Sequence, residues 1–423
     1  MLEQILTGLM YPFLFFSMYF QIFLLISFFE GKRKIKREEK RVITDFPSVT
    51  VAIPCWNEEK TLSGTLDSLL KLIYPKDKLK FIIVDDGSTD ETFEIAKQYK
   101  EKYPDLIEVI KKENGGKHTA MNLALSMCNT ELFGCLDADS FVEPKTLSHI
   151  VGYFEWDKDV MAVTPCVHIK APKTLVQRMQ AIEYLLGVFI RKAYGEIDAI
   201  QVTPGPFSIF KKEVFDKLGP YKKAHNTEDF EITLRMHKNH MKIVNSHKAT
   251  VYTLGPSTAY GFFKQHLRWA RGFIENALDY REMFFKKKYG NFGLFTLPGG
   301  FMFVFYAMYT AVFIVYNLTI SLSKIIAIIF ISGLNMPHFT FKFDFFYFNT
   351  NTISFVTMVL FTMLLFVLYI GRELTEDKQQ FYRNFPVFFV LFPLFVPLYV
   401  SRAVFDIIFS RKNEWVLQDN KRS

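Results

Sequence analysis

Hydrophobic and polar positions divide the chain into three zones. Residues from about Ile5 to Phe29 form one apolar run, long enough to cross a membrane. From Phe46 onward the apolar runs are short and alternate with amphipathic stretches. Beyond Phe292 three apolar blocks appear, about Phe295 to Ile331, Ile353 to Ile370 and Phe385 to Phe409. The first is too long for one simple span and is interrupted by Lys324. The last carries Pro386, Pro393 and Pro397, which predict a kink or a break.

In the middle zone, Val49 to Pro54, Phe81 to Val84, Leu106 to Ile110 and Leu132 to Leu136 read as buried strands. Glu59 to Lys71, Thr89 to Tyr99 and Ala120 to Met127 have helical spacing. This alternation predicts a mostly parallel α/β sheet, in which ligands sit beyond the carboxyl ends of the strands. Three of those ends carry Trp56-Asn57-Glu58, Asp85-Asp86 and Asp137-Ala138-Asp139, so three polar clusters fall on one edge. As a strand, Leu132 to Leu136 delivers Asp137 and Asp139 to one face. Paired carboxylates there suit a hard divalent cation shared with a phosphate.

Further along, Pro172 to Asp198 has the stripe of a helix expected to pack as plain core, with a helix at the membrane surface as the alternative. Thr203-Pro204-Gly205-Pro206-Phe207-Ser208 breaks that pattern and lets backbone approach a ligand closely. Thr227-Glu228-Asp229 opens another helix, with Thr227 placed to cap it. Gly261 to Tyr289 is basic and amphipathic, as a helix at a membrane surface would be.

Composition sharpens this division. Half of the 423 residues are hydrophobic and 47 are Phe. That excess gathers at the two ends, which points to membrane segments around a soluble middle. The net charge of +8 clusters beside the apolar runs. Lys32, Arg33, Lys34, Lys36, Arg37, Lys40 and Arg41 follow the first run and mark a cytoplasmic flank, with the N-terminus outside. No basic-aromatic binding pattern accompanies them, so nucleic acid is not an expected partner. Glu3 and the lack of a small-residue cleavage site argue against a cleaved signal peptide. Cys55, Cys128, Cys135 and Cys166 have no metal-ligand spacing and read as reduced core residues. The expected division is 1–30 a transmembrane helix, 31–47 a basic cytoplasmic linker and 48–260 the α/β domain. Interface helices follow over 261–291, a C-terminal transmembrane region over 292–410 and a polar tail over 411–423. Crossing parity and oligomeric state stay open.

Seven stretches occur in an order that resembles membrane-embedded family 2 glycosyltransferases, the group of cellulose, chitin, hyaluronan and poly-N-acetylglucosamine synthases. They are Ile53-Pro54-Cys55-Trp56-Asn57-Glu58-Glu59, Val84-Asp85-Asp86-Gly87-Ser88-Thr89-Asp90, Asn114-Gly115-Gly116-Lys117, Asp137-Ala138-Asp139-Ser140, Pro204-Gly205-Pro206-Phe207, Thr227-Glu228-Asp229 and Gln265-His266-Leu267-Arg268-Trp269-Ala270-Arg271-Gly272. The resemblance implies a GT-A (Rossmann-like) catalytic domain with flanking transmembrane and amphipathic interface helices. It implies a multi-pass protein of the cell membrane, its catalytic domain facing the cytoplasm. The implied reaction is inverting transfer of a sugar from a nucleotide diphosphate-sugar, a UDP-linked hexose or N-acetylhexosamine, to a growing polysaccharide that passes through the enzyme's own membrane helices. Transfer of one sugar to a membrane lipid or lipid-linked acceptor is the alternative, because such enzymes can share Gln-x-x-Arg-Trp.

Residue roles follow from the same resemblance. Asp139, with Asp137 nearby, would hold Mg²⁺ or Mn²⁺ at the leaving diphosphate. Lys117, in its Gly-Gly turn, would reach phosphate. Trp56, Glu58, Asp85 and Asp86 would lie near a uridine base. Asp229, beside Glu228, would be the general base that the acceptor hydroxyl needs. Gln265, Arg268 and Trp269 share one helix face at i, i+3 and i+4. Of these, Gln265 and Arg268 would meet the donor and Trp269 the acceptor. Gly205 and Phe207 fall to the acceptor side. His266 is treated as a variable helix residue rather than a metal ligand. Glu414-Trp415-Val416-Leu417-Gln418 with Lys421 and Arg422 resembles a segment that closes the donor site, but lacks the expected Thr.

Overall fold

The computed structural model describes residues 2–38, 43–332, 352–375 and 381–409. The segment resembling a donor-site closing element, 414–422, lies outside them. In chain order, α1 (Leu2–Glu38) precedes β1 (Val49–Cys55), α2 (Leu62–Leu70), β2 (Leu79–Asp85), α3 (Thr92–Lys102), β3 (Ile107–Lys111), α4 (Lys117–Ser126) and β4 (Leu132–Cys135). The second half runs β5 (Ser140–Val142), α5 (Thr146–Trp156), β6 (Val160–Ile169), α6 (Leu175–Glu196), β7 (Ile209–Lys211), α7 (Glu213–Leu218), α8 (Glu228–Lys238), β8 (Lys242–Thr253) and α9 (Ala259–Asp279). Three long helices close the chain: α10 (Leu297–Ser332), α11 (Thr352–Glu373) and α12 (Phe381–Ile408).

The eight strands form one sheet in the order β3-β2-β1-β4-β7-β6-β8-β5. β1, β2, β3 and β4 pair in parallel, as their continuous apolar runs predict. β7 enters antiparallel between β4 and β6, and β5 pairs antiparallel with β8. Because β1, β2 and β4 run the same way, Trp56, Asp85 and Asp137 do emerge on one edge.

One expectation needs correction. β4 ends at Cys135, so Asp137 and Asp139 are not alternate residues of a strand. They lie in a turn toward β5, closed by the Ser140 N–H donating to the Asp137 carbonyl at 2.9 Å. The turn, not the pleat, brings the two acids together.

α6 begins at a capping box, with Thr174 and Gln177 satisfying each other's backbone N–H groups. It is more than plain core. One face lies on β6 and β8, and the helix also packs against α1, α11 and α12. Among the described residues, four helices are long and apolar enough to cross a membrane: 4–31, 292–331, 352–373 and 381–408. The proline-bearing α12 is continuous rather than broken. The 292–331 stretch is also unbroken at Lys324. At 1.5 Å per residue its 40 residues reach about 60 Å, twice a hydrocarbon core.

Candidate functional site

The strand edge is built first. Asp85 and Asp86 leave β2 together but do different work. Both Asp86 oxygens accept backbone N–H groups, from Gly115 at 3.1 Å and Gly116 at 2.8 Å, and Lys112 Nζ lies 2.5 Å away. Asp86 is therefore occupied in folding the Gly-Gly turn before α4. Asp85 gives one oxygen to the Ser88 N–H at 3.2 Å. Its other oxygen is buried without a hydrogen-bond partner, with the Lys111 amine 3.8 Å off. A buried orphan acceptor is costly unless a ligand N–H completes it.

The Gly-Gly turn sets Lys117 at the first position of α4. Its Nζ lies 2.5 Å from Asp137 Oδ1 and 3.5 Å from Glu228 Oε1. Burial alone would lower this amine, but the two carboxylates outweigh it and hold it well above its ordinary value. Gly205 touches the same pair: a Cβ there would stand 2.8 Å from Lys117 Nζ and 3.3 Å from Asp137 Oδ2. Gly205 thus lies directly against the Lys117–Asp137 pair. Phe207 is a second correction. Its ring is fully buried in the core, and its N–H is spent on the Cys135 carbonyl at 2.6 Å.

Beside Lys117 is an acid cluster. Burial first, then Asp137 and Glu58, push the Asp139 carboxyl up to about 7. Glu58 is raised too, by burial and by Asp137 and Asp90, against a 2.6 Å hydrogen bond from Thr61 Oγ1. Sequence reasoning put Glu58 with Trp56; the electrostatics put it with Asp137 and Asp139. Among the described residues, no three His, Cys, Asp or Glu side chains converge on a ready-made cation site. The cluster nevertheless fits a divalent cation, because hard oxygen ligands that repel one another are relieved by one.

Asp229 sits in the first turn of α8. Burial and the Glu228 carboxylate raise it to about 6, against the pull of Lys117, Arg268 and the Phe230 N–H, which donates to Oδ1 at 2.8 Å. Thr203 and Thr233 both donate to the Asp229 carbonyl, at 3.1 and 2.8 Å. They tie the Pro204-Gly205 loop to the start of α8, a role no motif announced. Thr227 does not cap α8 with its side chain. Its hydroxyl instead accepts from Asn276 Nδ2 at 2.8 Å and donates to the Ala224 carbonyl at 3.2 Å. Gly272 makes that approach possible, since a Cβ there would collide with Thr227.

α9 completes the site. Gln265, Arg268 and Trp269 are half-buried on it. Arg268 Nη1 donates to the Asn226 carbonyl at 2.8 Å, just before the Thr227-Glu228-Asp229 stretch. His266, dismissed from sequence, is buried against Phe262, Trp269, Tyr399 and Glu183. All four cysteines are buried and free, as expected.

Residues 50–219 match the family model for glycosyl transferase family 2. A poly-beta-1,6-N-acetyl-D-glucosamine synthase of Staphylococcus aureus (strain COL) is 30% identical over 293 residues, 68% of this chain and 69% of the relative. The chain belongs to glycosyltransferase family 2. A Staphylococcus epidermidis protein of the same name is 29% identical over 367 residues, covering 85% of the chain and 84% of its own length. The fold is seen in a solved structure as well: the mannosyltransferase PcManGT of Pyrobaculum calidifontis, in complex with GDP-Man and Mn²⁺. It superposes with a TM-score of 0.57 at 18% identity over 95% of this chain and all of that one. As a family 2 glycosyltransferase with four candidate membrane helices, the chain is a membrane enzyme.

Proposed function

We propose that this glycosyltransferase is a processive synthase that moves N-acetylglucosamine from UDP-N-acetylglucosamine to a growing β-1,6-linked chain. The observation that carries the chemistry is the meeting of two opposed groups at Glu228. On one side Lys117 and the acid cluster form a diphosphate end; on the other Asp229 is a carboxylate raised to about 6. The sugar, linkage and polymeric product rest on the names of the relatives, which align along as much as 85% of the chain.

The steps follow from the residues. The orphan Asp85 oxygen accepts the imide N–H of uracil, and Trp56 stacks on the ring. Lys117, with the N-terminal amides of α4, meets the diphosphate. The acceptor chain lies on Trp269, and its hydroxyl faces Asp229. Asp229 takes the hydroxyl proton as the acceptor oxygen bonds to the anomeric carbon. The bond from that carbon to the β-phosphate oxygen breaks, and UDP leaves with the electron pair. Base and leaving group lie on opposite faces of the sugar, so configuration inverts. Asp137 and Asp139 would hold Mg²⁺ or Mn²⁺, which supplies charge neutralisation at the leaving diphosphate when bound. Lys117 exchanges Asp137 for phosphate oxygens as the donor binds. The basic run from Lys32 to Arg41 supports a cytoplasmic side for this chemistry.

Product sizing tests the proposal. Purified enzyme in lipid nanodiscs, given labelled UDP-N-acetylglucosamine, yields a polymer that an endo-β-1,6-N-acetylglucosaminidase degrades. A single sugar on lipid, or turnover with another nucleotide sugar only, overturns it.

A further inference from the structure

α6 carries none of the seven motifs, yet it makes two side-chain contacts with the last of them, the Gln265 to Gly272 stretch. Gln180 and Glu183 stand one turn apart on α6 and meet adjacent residues of α9. Gln180 is fully buried and donates from Nε2 to Gln265 Oε1 at 2.7 Å. Glu183 Oε1 lies 2.8 Å from His266 Nε2. The second imidazole nitrogen, Nδ1, lies 3.0 Å from the Phe262 carbonyl. Both nitrogens of His266 therefore face oxygen atoms of the protein. The imidazole is fixed on all sides: stacked on Phe262 with centroids 3.8 Å apart, edge-on to Trp269 at 4.8 Å and against Tyr399 of α12 at 5.2 Å.

These contacts have chemical consequences. A primary amide has one acceptor end and one donor end. Gln180 engages the Gln265 carbonyl, so what Gln265 keeps for a substrate is chiefly its N–H₂ donors. A donor suits the oxygens of a leaving diphosphate or of a sugar. The His266 imidazole, clamped by Glu183, forms a wall against which the Trp269 ring rests. Resting on the synthase reading above, we propose that Gln180 and Glu183 are positioning residues: Gln180 sets the amide polarity of Gln265, and Glu183, through His266, sets the ring plane of Trp269.

The test is steady-state kinetics of full-length variants in nanodiscs, with UDP-N-acetylglucosamine and a short β-1,6-linked N-acetylglucosamine oligomer as acceptor. Glu183→Ala frees the imidazole and raises the acceptor KM about tenfold, with the donor KM unchanged, since a displaced ring costs on the order of 10-fold to 100-fold in a positioned reaction. Glu183→Gln restores that KM to within about threefold, because an amide still pairs with His266 Nε2. Gln180→Glu, an acceptor only, forces Gln265 to turn and lowers kcat by about 10-fold or more, further than the apolar Gln180→Met. A structural role alone predicts that Glu183→Gln and Glu183→Ala behave alike and that activity follows the thermal midpoint. That pattern, or wild-type acceptor KM in Glu183→Ala, overturns the inference. Asp229→Asn serves as the control. If it is inactive while the α6 variants match wild type, only this inference falls; if it is fully active, the synthase mechanism falls.

Discussion

Glu228 ends 3.5 Å from the Lys117 amine, and that contact joins the two halves of the site. Lys117 belongs to α4 and the parallel half of the sheet; Glu228 opens α8, next to Asp229. The proposed diphosphate end and the proposed base are thereby held in one electrostatic unit. Lys117→Met removes the positive member and leaves Asp137 and Glu228 facing each other unpaired. Turnover falls about 100-fold or more, on the scale of losing one preorganised charge at the reacting group. Steady-state UDP release measures it.

Asp85 gives a separable outcome. Asp85→Asn keeps the shape but replaces the charged acceptor that completes the nucleobase. The KM for the UDP-sugar rises about tenfold, the loss expected for a hydrogen bond to a charged group. kcat changes little, because the base lies far from the bonds being made. Titration of UDP binding by calorimetry checks the same prediction without turnover.

Gly272 tests the link from α9 to the catalytic helix. Gly272→Ala drives a Cβ into Thr227. Overpacking there costs about 1–3 kcal/mol. The displaced Thr227 also moves the first turn of α8, so turnover drops more than the loss of folded protein accounts for. Thermal unfolding and specific activity, measured on one preparation, separate the two.

The Asp229 carboxyl is raised from 3.8 to about 6. A general base works ionised, so kcat/KM is low below pH 6, rises through it with unit slope and levels above it. The sign for stability is opposite to that of a paired acid. The folded chain holds this proton more tightly than the unfolded chain, so the ionised carboxylate is a cost that is full above about pH 6 and absent below 3.8. Asp229→Asn therefore raises the thermal midpoint at pH 8 and has a smaller effect at pH 5.

Much of this was legible before any coordinates. The alternation through Val49, Phe81, Leu106 and Leu132 located the parallel strands, because buried parallel strands are continuous apolar runs. Their shared edge followed from direction alone. The second half of the sheet was not legible. β5 and β7 have three residues each, too short for a period, and β6 and β8 carry polar residues such as Thr164, His168, Asn245 and Thr250 inside the core. Motif spacing found the acids but not their division of labour. Nothing in Asp85-Asp86 shows that one acid folds the Gly115-Gly116 turn and the other keeps a free oxygen. Phe207 follows Gly205-Pro206 in sequence, yet its side chain turns into the core. Gln180, Glu183 and Thr203 matter through partners 26 to 85 residues away, which no local pattern encodes.

Asp229 is the proposed base of a polymerising sugar transfer. The most direct measurement is the rate of polymer formation by Asp229→Asn against wild type, in nanodiscs with labelled UDP-N-acetylglucosamine and divalent cation, with UDP binding measured alongside. The expected result is unchanged UDP affinity and polymer formation slower by about 10²-fold to 10⁴-fold, the worth of a positioned general base. Polymer formation at the wild-type rate by Asp229→Asn would contradict it.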